Sequence, residues 1–371
     1  MSRQRARVAP LVLEQGRRTF CVSDIHGNLP LLKGLLDKLA FSQDDTLIVM
    51  GDIVERNTGS LATLRYLMAL SETHDLRFLL GNCDNLVLDF VDEGGELLDD
   101  FFERWIGNLG ARSVLVQMAS EADVPLNGRE DYPRAREVFR ARFAPELDFL
   151  RAMPHILLNG DYLLVHGGVP REEGLDDLIA FDCMKNDHFW ERGRVFQRWV
   201  IAGHTPVTLY RGDIACANPI IDEESHIISI DGGCTLKVDG QLNALRLPTE
   251  KKPACAADFS FTAYDGFPTV TALEGQDTSA NPVNIRWGRS ALEVLERGKE
   301  FSRCRHVESG KELDILNEYL RFGPEGVTCE DSTDYRLPVA RGDELAVVRT
   351  TSRGLLCKKD GMTGWYFGKY R

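Results

Sequence analysis

The chain has 371 residues, 44 of them basic and 57 acidic, for a formal net charge of -13 at pH 7. That balance argues against a nucleic-acid partner, because binding a phosphate backbone draws on an excess of Lys and Arg that releases its counterions. The length allows a catalytic domain of about 240–250 residues with further modules after it.

No run of roughly 18 apolar residues occurs, and the first residues lack the apolar core of a leader peptide, so a cytoplasmic protein with no membrane partner is expected. Cysteines 21, 83, 183, 216, 234, 255, 304, 329 and 357 stand singly without a CxxC pair, which reads as reduced thiols.

In chain order, a short apolar run repeatedly ends in a polar, Gly-containing turn that leads into helical patterning. The runs are Thr19–Val22 before SDIHGN, residues 46–50 before GDIVERN, residues 76–80 before GNCDN, Tyr162–Val165 before HGG, and Trp199–Ala202 before GHTP. This is α/β logic: five strands deliver polar side chains at their carboxyl ends, where open α/β sheets place ligands. Residues 85–153 read as a helical cap, with helices over 97–106 and 134–143 and Pro154 as a breaker. A strand over 227–230 and a hairpin over 236–247, turning at Val238-Asp239-Gly240, close a catalytic domain of residues 1–249.

Beyond it the composition shifts toward Pro, Ala, Thr and Asp. Residues 250–333 read as a linker or accessory α+β segment with helices over 290–297 and 310–320. From residue 334 to 371, short alternating strands are punctuated at Gly342, Gly354, Gly361 and Gly364, which predicts a small β-barrel.

The chemistry lies in the five turns. Asp24 and His26 stand two apart after a strand, and a hard oxygen with a borderline nitrogen suits Mn, Fe or Zn. Asp52 offers two oxygens that can bridge two metals about 3.5–4 Å apart. Asn82 offers an amide oxygen, and His166 and His204 offer imidazole nitrogens, all from the same edge of the sheet. One such residue alone is ordinarily a cap or a satisfied core group; five turns in this order point to a site. Two metals sharing an aspartate acidify a bridging water and clamp a phosphate for in-line attack, so phosphoester hydrolysis is expected. Arg56, four residues after Asp52, presents a forked guanidinium to the same phosphate.

The motifs SDIHG, GDIVER, GNCD, HGG and GHTP, in that order, resemble those of the calcineurin-like metallophosphoesterases, in particular the phosphoprotein phosphatase branch, over residues 19 to about 247. Within it, segments such as GDIVERNTGSLATLRYL and WIGNLGARSVL are similar to bacterial protein phosphatases and symmetrical dinucleoside tetraphosphate hydrolases. The resemblance implies an α/β fold built as a β-sandwich flanked by helices. It implies one metal on Asp24, His26 and Asp52 and a second on Asp52, Asn82, His166 and His204, with manganese the first expectation and iron or zinc the alternatives.

The chain departs from that pattern in several places. Cys83 stands where the branch has the His that protonates the leaving oxygen, with Asp84 the nearest alternative acid, and Glu55 stands where the family has the Asp that orients that His. Asn186 falls at the second phosphate-binding Arg, with Lys185, Arg192 or Arg194 as substitutes. Arg56, Asn82 and Lys185 are therefore the expected phosphate contacts. Pro206 replaces the second His of GHxH, which favours phosphatases over nucleases. The tail, through GDELAVV and GWYFGKY, resembles bacterial SH3-like barrels, with Trp365, Tyr366 and Tyr370 either lining a peptide groove or filling a core. The function expected first is a serine/threonine-type phosphoprotein phosphatase acting on phosphomonoesters. A dinucleoside polyphosphate hydrolase and a non-catalytic adaptor for phosphorylated partners are the alternatives.

Overall fold

The structure is a computed structural model that describes residues 4–92, 95–250 and 252–371. The chain divides into two compact units, the first made of Met1–Thr205, Pro219–Leu236 and Gly240–Asp265, the second of Pro206–Asn218, Lys237–Asp239 and Gly266–Arg371. No helix among the described residues is long and apolar enough to cross a membrane.

The first unit runs β1 (Val8–Pro10), β2 (Thr19–Val22), α1 (Leu29–Leu39), β3 (Thr46–Val49), α2 (Ser60–Ser71) and β4 (Asp75–Phe78). Helices α3 (Asn82–Asp92), α4 (Glu96–Leu109), α5 (Val114–Ala122), α6 (Tyr132–Arg142) and α7 (Ala144–Ala152) follow. Then come β5 (Ile156–Leu158), β6 (Tyr162–Val165), α8 (Ala180–Met184), β7 (Trp199–Ala202), β8 (Ile220–Asp222), β9 (Ile227–Ser229), β10 (Leu242–Leu247) and β11 (Ser260–Tyr264). One sheet has the order β11-β10-β2-β3-β4 and the other β1-β5-β6-β7-β9-β8. Strands β2, β3 and β4 are parallel, as are β6, β7 and β9, so their carboxyl ends gather on one edge of each sheet.

Alternation along the strands explains the layering. Cys21, Ile48, Leu164, Ile201, Ile228 and Leu245 share one apolar cluster between the two sheets. Their neighbours Phe20, Val22, Leu47 and Val49 face outward into a second cluster with Leu32, Leu35 and Leu36 of α1 and the helices α2 to α7. On the opposite side Leu163, Val165, Val200 and Ile227 pack against Leu175, Leu178, Phe189 and Phe196. The result is a β-sandwich with helices outside it, as expected. Helix α1 begins where Asn28 accepts a bond from the Leu31 amide at 3.2 Å and Pro30 sets the first turn.

Of the hairpin expected over 236–247 only β10 is a strand, because it pairs with β2 on one side and β11 on the other and so needs no hairpin partner.

The second unit corrects two expectations. Residues 290–297 and 310–320 are not helical: Ala291–Arg297, Phe301–His306 and Glu312–Leu316 are antiparallel neighbours in a five-stranded sheet. Their charges pair across strands instead of along a helix, Arg305 reaching Glu293 at 2.7 Å and Glu312 at 3.0 Å. Buried Leu313 and Ile315 alternate with half-exposed Asp314, the period of a strand. In the tail, Thr269–Thr271, Glu344–Thr350, Leu355–Lys359 and Met362–Tyr366 form an open four-stranded sheet, so among the described residues the barrel expected for 334–371 is not closed. Tyr366 is fully buried and its hydroxyl donates to the Glu274 carbonyl at 2.7 Å, whereas Tyr370 is exposed.

Candidate metal centre

Each candidate side chain leaves the carboxyl end of a strand in a turn that docks on its neighbours. The amides of Asp24, His26 and Gly27 donate to the carbonyls of Gly51, Asp52 and Ile53 at 3.1, 2.9 and 2.8 Å, which clamps the turn after β2 to the turn after β3. Asp24, His26, Asp52 and His204 all have positive φ, at 56, 47, 53 and 68°. Non-glycine residues seldom take that region, so four of them side by side mark strain held for a site.

Within this frame Asp52 is the centre. Its Oδ2 lies 3.8 Å from His26 Nε2 and its Oδ1 3.3 Å from His166 Nε2. Ligand atoms of His26, Asp52 and Cys83 fall within 4.8 Å of one another, and so do those of Asp52, His166 and His204. Asn82 adds its Oδ1 at 3.3 Å from His166 Nε2. The other His nitrogens are occupied on the far side: His166 Nδ1 donates to the Met50 carbonyl at 2.8 Å, and His26 Nδ1 stands 3.3 Å from that of Val54. His204 is fixed by its amide, which donates to Asp24 Oδ2 at 2.9 Å, and by Nε2, which donates to Asp187 Oδ1 at 2.7 Å.

The donor set fits divalent cations. Asp24 Oδ1 is buried with no hydrogen-bond partner among the described residues, a cost that a cation removes. Burial works against the ionised form of Asp52, but the imidazoles of His166, His26 and His204 outweigh it and hold the carboxyl well below its usual range. Burial likewise opposes charge on His166, yet the Asp52 and Asp24 carboxylates push it up to about 10. A cation bound here takes the place of that proton.

The two candidate acids, Asp84 and Cys83, are both buried. Asp84 is fully buried, and its oxygens accept the amides of Ile53, Val54 and Gly81 at 2.9, 3.1 and 3.1 Å, so it ties two turns together. Cys83 does face His26 and Asp52, but burial and the Asp52 charge raise its thiol well above the ordinary range, leaving a feeble acid. Lys185 reaches the edge of the site, where its ammonium pairs with Asp187 and stands 3.3 Å from His204 Nε2. Arg192 donates to the Asp187 carbonyl at 2.9 Å. Sequence reasoning missed Asp187, since a carboxylate after Asn186 carries no motif of its own, and Asp231, whose buried Oδ2 lacks a partner among the described residues.

Glu55 is buried and makes no hydrogen bond with Cys83 among the described residues. One oxygen accepts the Ser113 hydroxyl at 2.9 Å and the Val114 amide at 3.2 Å, while the Trp105 indole N–H lies toward the other without reaching hydrogen-bond geometry. Burial outweighs these donors and pushes its carboxyl from 4.5 up to about 7. The folded state thus binds this proton more tightly than the unfolded chain, and the resulting stability is full below about pH 4.5 and lost as pH rises through about 7. Glu55→Gln, which has no such proton to lose, should gain about 2–3 kcal/mol on the wild type across that window. Denaturant unfolding at pH 5, 6 and 7 checks it, and a difference that stays constant with pH would refute it.

The family model described as calcineurin-like phosphoesterase matches residues 17–222. The symmetrical bis(5'-nucleosyl)-tetraphosphatase of Dechloromonas aromatica (strain RCB) is 31% identical over 153 residues, 41% of this chain and 44% of that protein. The protein of the same name from Serratia proteamaculans (strain 568) is 43% identical over 67 residues, 18% of this chain and 23% of that one. The chain thus spans less than half the length of these curated relatives. Among solved structures, a protein serine/threonine phosphatase from Saccharomyces cerevisiae is 11% identical with a TM-score of 0.37, over 68% of this chain and 80% of that one.

Proposed function

We propose that this chain, which belongs to the calcineurin-like phosphoesterase family, is a hydrolase of phosphoesters that holds one divalent cation with Asp24, His26 and Asp52 and a second with Asp52, Asn82, His166 and His204. The observation that carries this reading is the Asp52 carboxylate, which borders His26 through one oxygen and His166 through the other. The mixture of carboxylate, amide and imidazole donors suits manganese first, with iron or zinc as alternatives. When bound, such a pair of cations makes a water acidic enough to react near neutral pH and neutralises phosphate oxygens.

The protein's own groups orient and bind. The Met50 carbonyl fixes the His166 tautomer so that Nε2 points into the site. Arg56 supplies a forked cation for the substrate phosphate. Phosphomonoesters are the proposed substrates, phosphoserine or phosphothreonine proteins among them. One observation supports a second class, dinucleoside polyphosphates: the position of the usual proton donor holds a weakly acidic thiol, and a nucleotide leaving group needs little protonation.

Turnover of an aryl phosphate, a phosphoserine peptide and a dinucleoside tetraphosphate, with and without manganese, tests the proposal. Metal-dependent cleavage of at least one is expected, with the phosphoserine peptide slowest. Silence on all three with metal bound would support the adaptor instead. Cys83→His should raise turnover of alkyl phosphates by roughly 10²-fold and that of aryl phosphates much less. An equal effect on both would refute the leaving-group argument.

A further inference from the structure

We propose that Trp105 is a positioning residue for Arg56, and that its indole face aims the guanidinium at the substrate phosphate. The inference rests on the phosphoesterase reading, in which Arg56 meets that phosphate.

Arg56 sits in a backbone segment that few side chains tolerate, with φ of 71° at Glu55 and 70° at Arg56. Glu55 anchors this segment by reaching Ser113 and Val114 at the start of α5. The guanidinium carbon then lies 5.2 Å from the centroid of the Trp105 ring on α4, within cation–π range. The ring is itself seated, stacked on Phe101 at 5.6 Å with 22° between the planes. Phe101 in turn meets Phe102 edge-on at 5.3 Å, and Phe102 is fully buried.

The choice of partner matters chemically. A carboxylate holding Arg56 would neutralise it and compete with phosphate for the same N–H groups. An aromatic face holds the cation by its quadrupole and takes none of those donors. Among the described residues no carboxylate forms an ion pair with Arg56, and its buried Nε has no hydrogen-bond partner. The carbonyl of Val54, two residues before Arg56, stands 3.3 Å from His26 Nδ1, which places this segment beside the candidate centre. In this reading the helical segment from α4 to α5 is part of the phosphate site, because both the anchor of Glu55 and the platform for Arg56 come from it.

The test is orthophosphate binding to the manganese-loaded protein by calorimetry, together with aryl phosphate kinetics, for the wild type, Trp105→Leu, Trp105→Phe, Arg56→Ala and the Arg56→Ala/Trp105→Leu double variant. Trp105→Leu should weaken phosphate binding and raise KM by roughly 3- to 30-fold with a smaller change in kcat. Trp105→Phe, which keeps an aromatic face, should stay within about 3-fold of the wild type. In the Arg56→Ala background, Trp105→Leu should change nothing further, since the two act as a unit. Unaltered phosphate binding in Trp105→Leu would overturn the proposal, and so would the same loss with and without Arg56, which marks a merely structural role. A wild type that binds phosphate but hydrolyses nothing would sink the phosphoesterase reading while the Trp105 cycle still decides this one. A wild type that binds no phosphate would overturn both.

Discussion

Asp52→Asn is expected to strip the protein of bound cation and of phosphoesterase turnover together. Asp52 is 2% exposed, borders His26 at 3.8 Å and His166 at 3.3 Å, and accepts the Cys83 amide on Oδ1 at 2.8 Å. Asparagine preserves the shape and tolerates the φ of 53°, so the turn should survive. What it removes is a negative charge and one acceptor oxygen from the group shared by both proposed ligand sets. Turnover of an aryl phosphate should fall by at least about 10²–10³-fold, the cost of losing one well-placed electrostatic group in a water-poor site. Elemental analysis after dialysis should show the metal lost in parallel, with circular dichroism unaltered. Unchanged turnover would remove Asp52 from the centre.

Gly81→Ala should damage the same site by sterics alone. A Cβ on Gly81 would stand 2.1 Å from the Asp52 amide nitrogen and 2.3 Å from its Oδ1, so the GD turn or the GN turn must move. Gly51 faces Gly81 just as closely: its own Cβ would fall 2.6 Å from the Gly81 Cα and 2.9 Å from His166 Nδ1. Neither backbone has room to yield without displacing Asp52, Asn82 or His166. The expected result is a stability loss of about 1–3 kcal/mol and a fall in metal affinity of at least about 10-fold. Gly107→Ala is the control: a Cβ there meets nothing within 4 Å on helix α4 and should stabilise by about 0.5–1 kcal/mol. Metal affinity in Gly81→Ala equal to that in Gly107→Ala would contradict the close-packed turns.

The comparison of sequence with structure divides along the range of the interactions. Thr19–Val22, Tyr162–Val165 and Trp199–Ala202 were legible to the residue, because each is a buried strand bounded by turn chemistry. The polar residues after them were legible as a group, since parallel strands bring their carboxyl ends to one edge. Residues 290–297 misled because Glu and Arg at close spacing suit an exposed helix, and only pairing with Phe301–His306 reveals them as a strand. The bond from His204 to Asp187, the seat of Arg56 on Trp105 and the Ile53 and Val54 amides bound by Asp84 were invisible for a related reason. Each depends on segments brought together by the fold, and none of those residues stands at a spacing that announces its partner.

Cys83 and Glu55 show the converse. Their departure from the family pattern is plain in the sequence, but the consequence is not. The structure turns the Glu55 carboxyl toward Ser113 and Val114 and leaves Cys83 beside Asp52, with no hydrogen bond between Glu55 and Cys83 among the described residues.

Whether a pair of cations shares Asp52 can be read from a manganese titration followed by electron paramagnetic resonance. Two ions per chain with an exchange-coupled spectrum are expected, with loss of that coupling in Asp52→Asn. A single ion per chain, or two with no magnetic coupling in the wild type, would contradict that sharing.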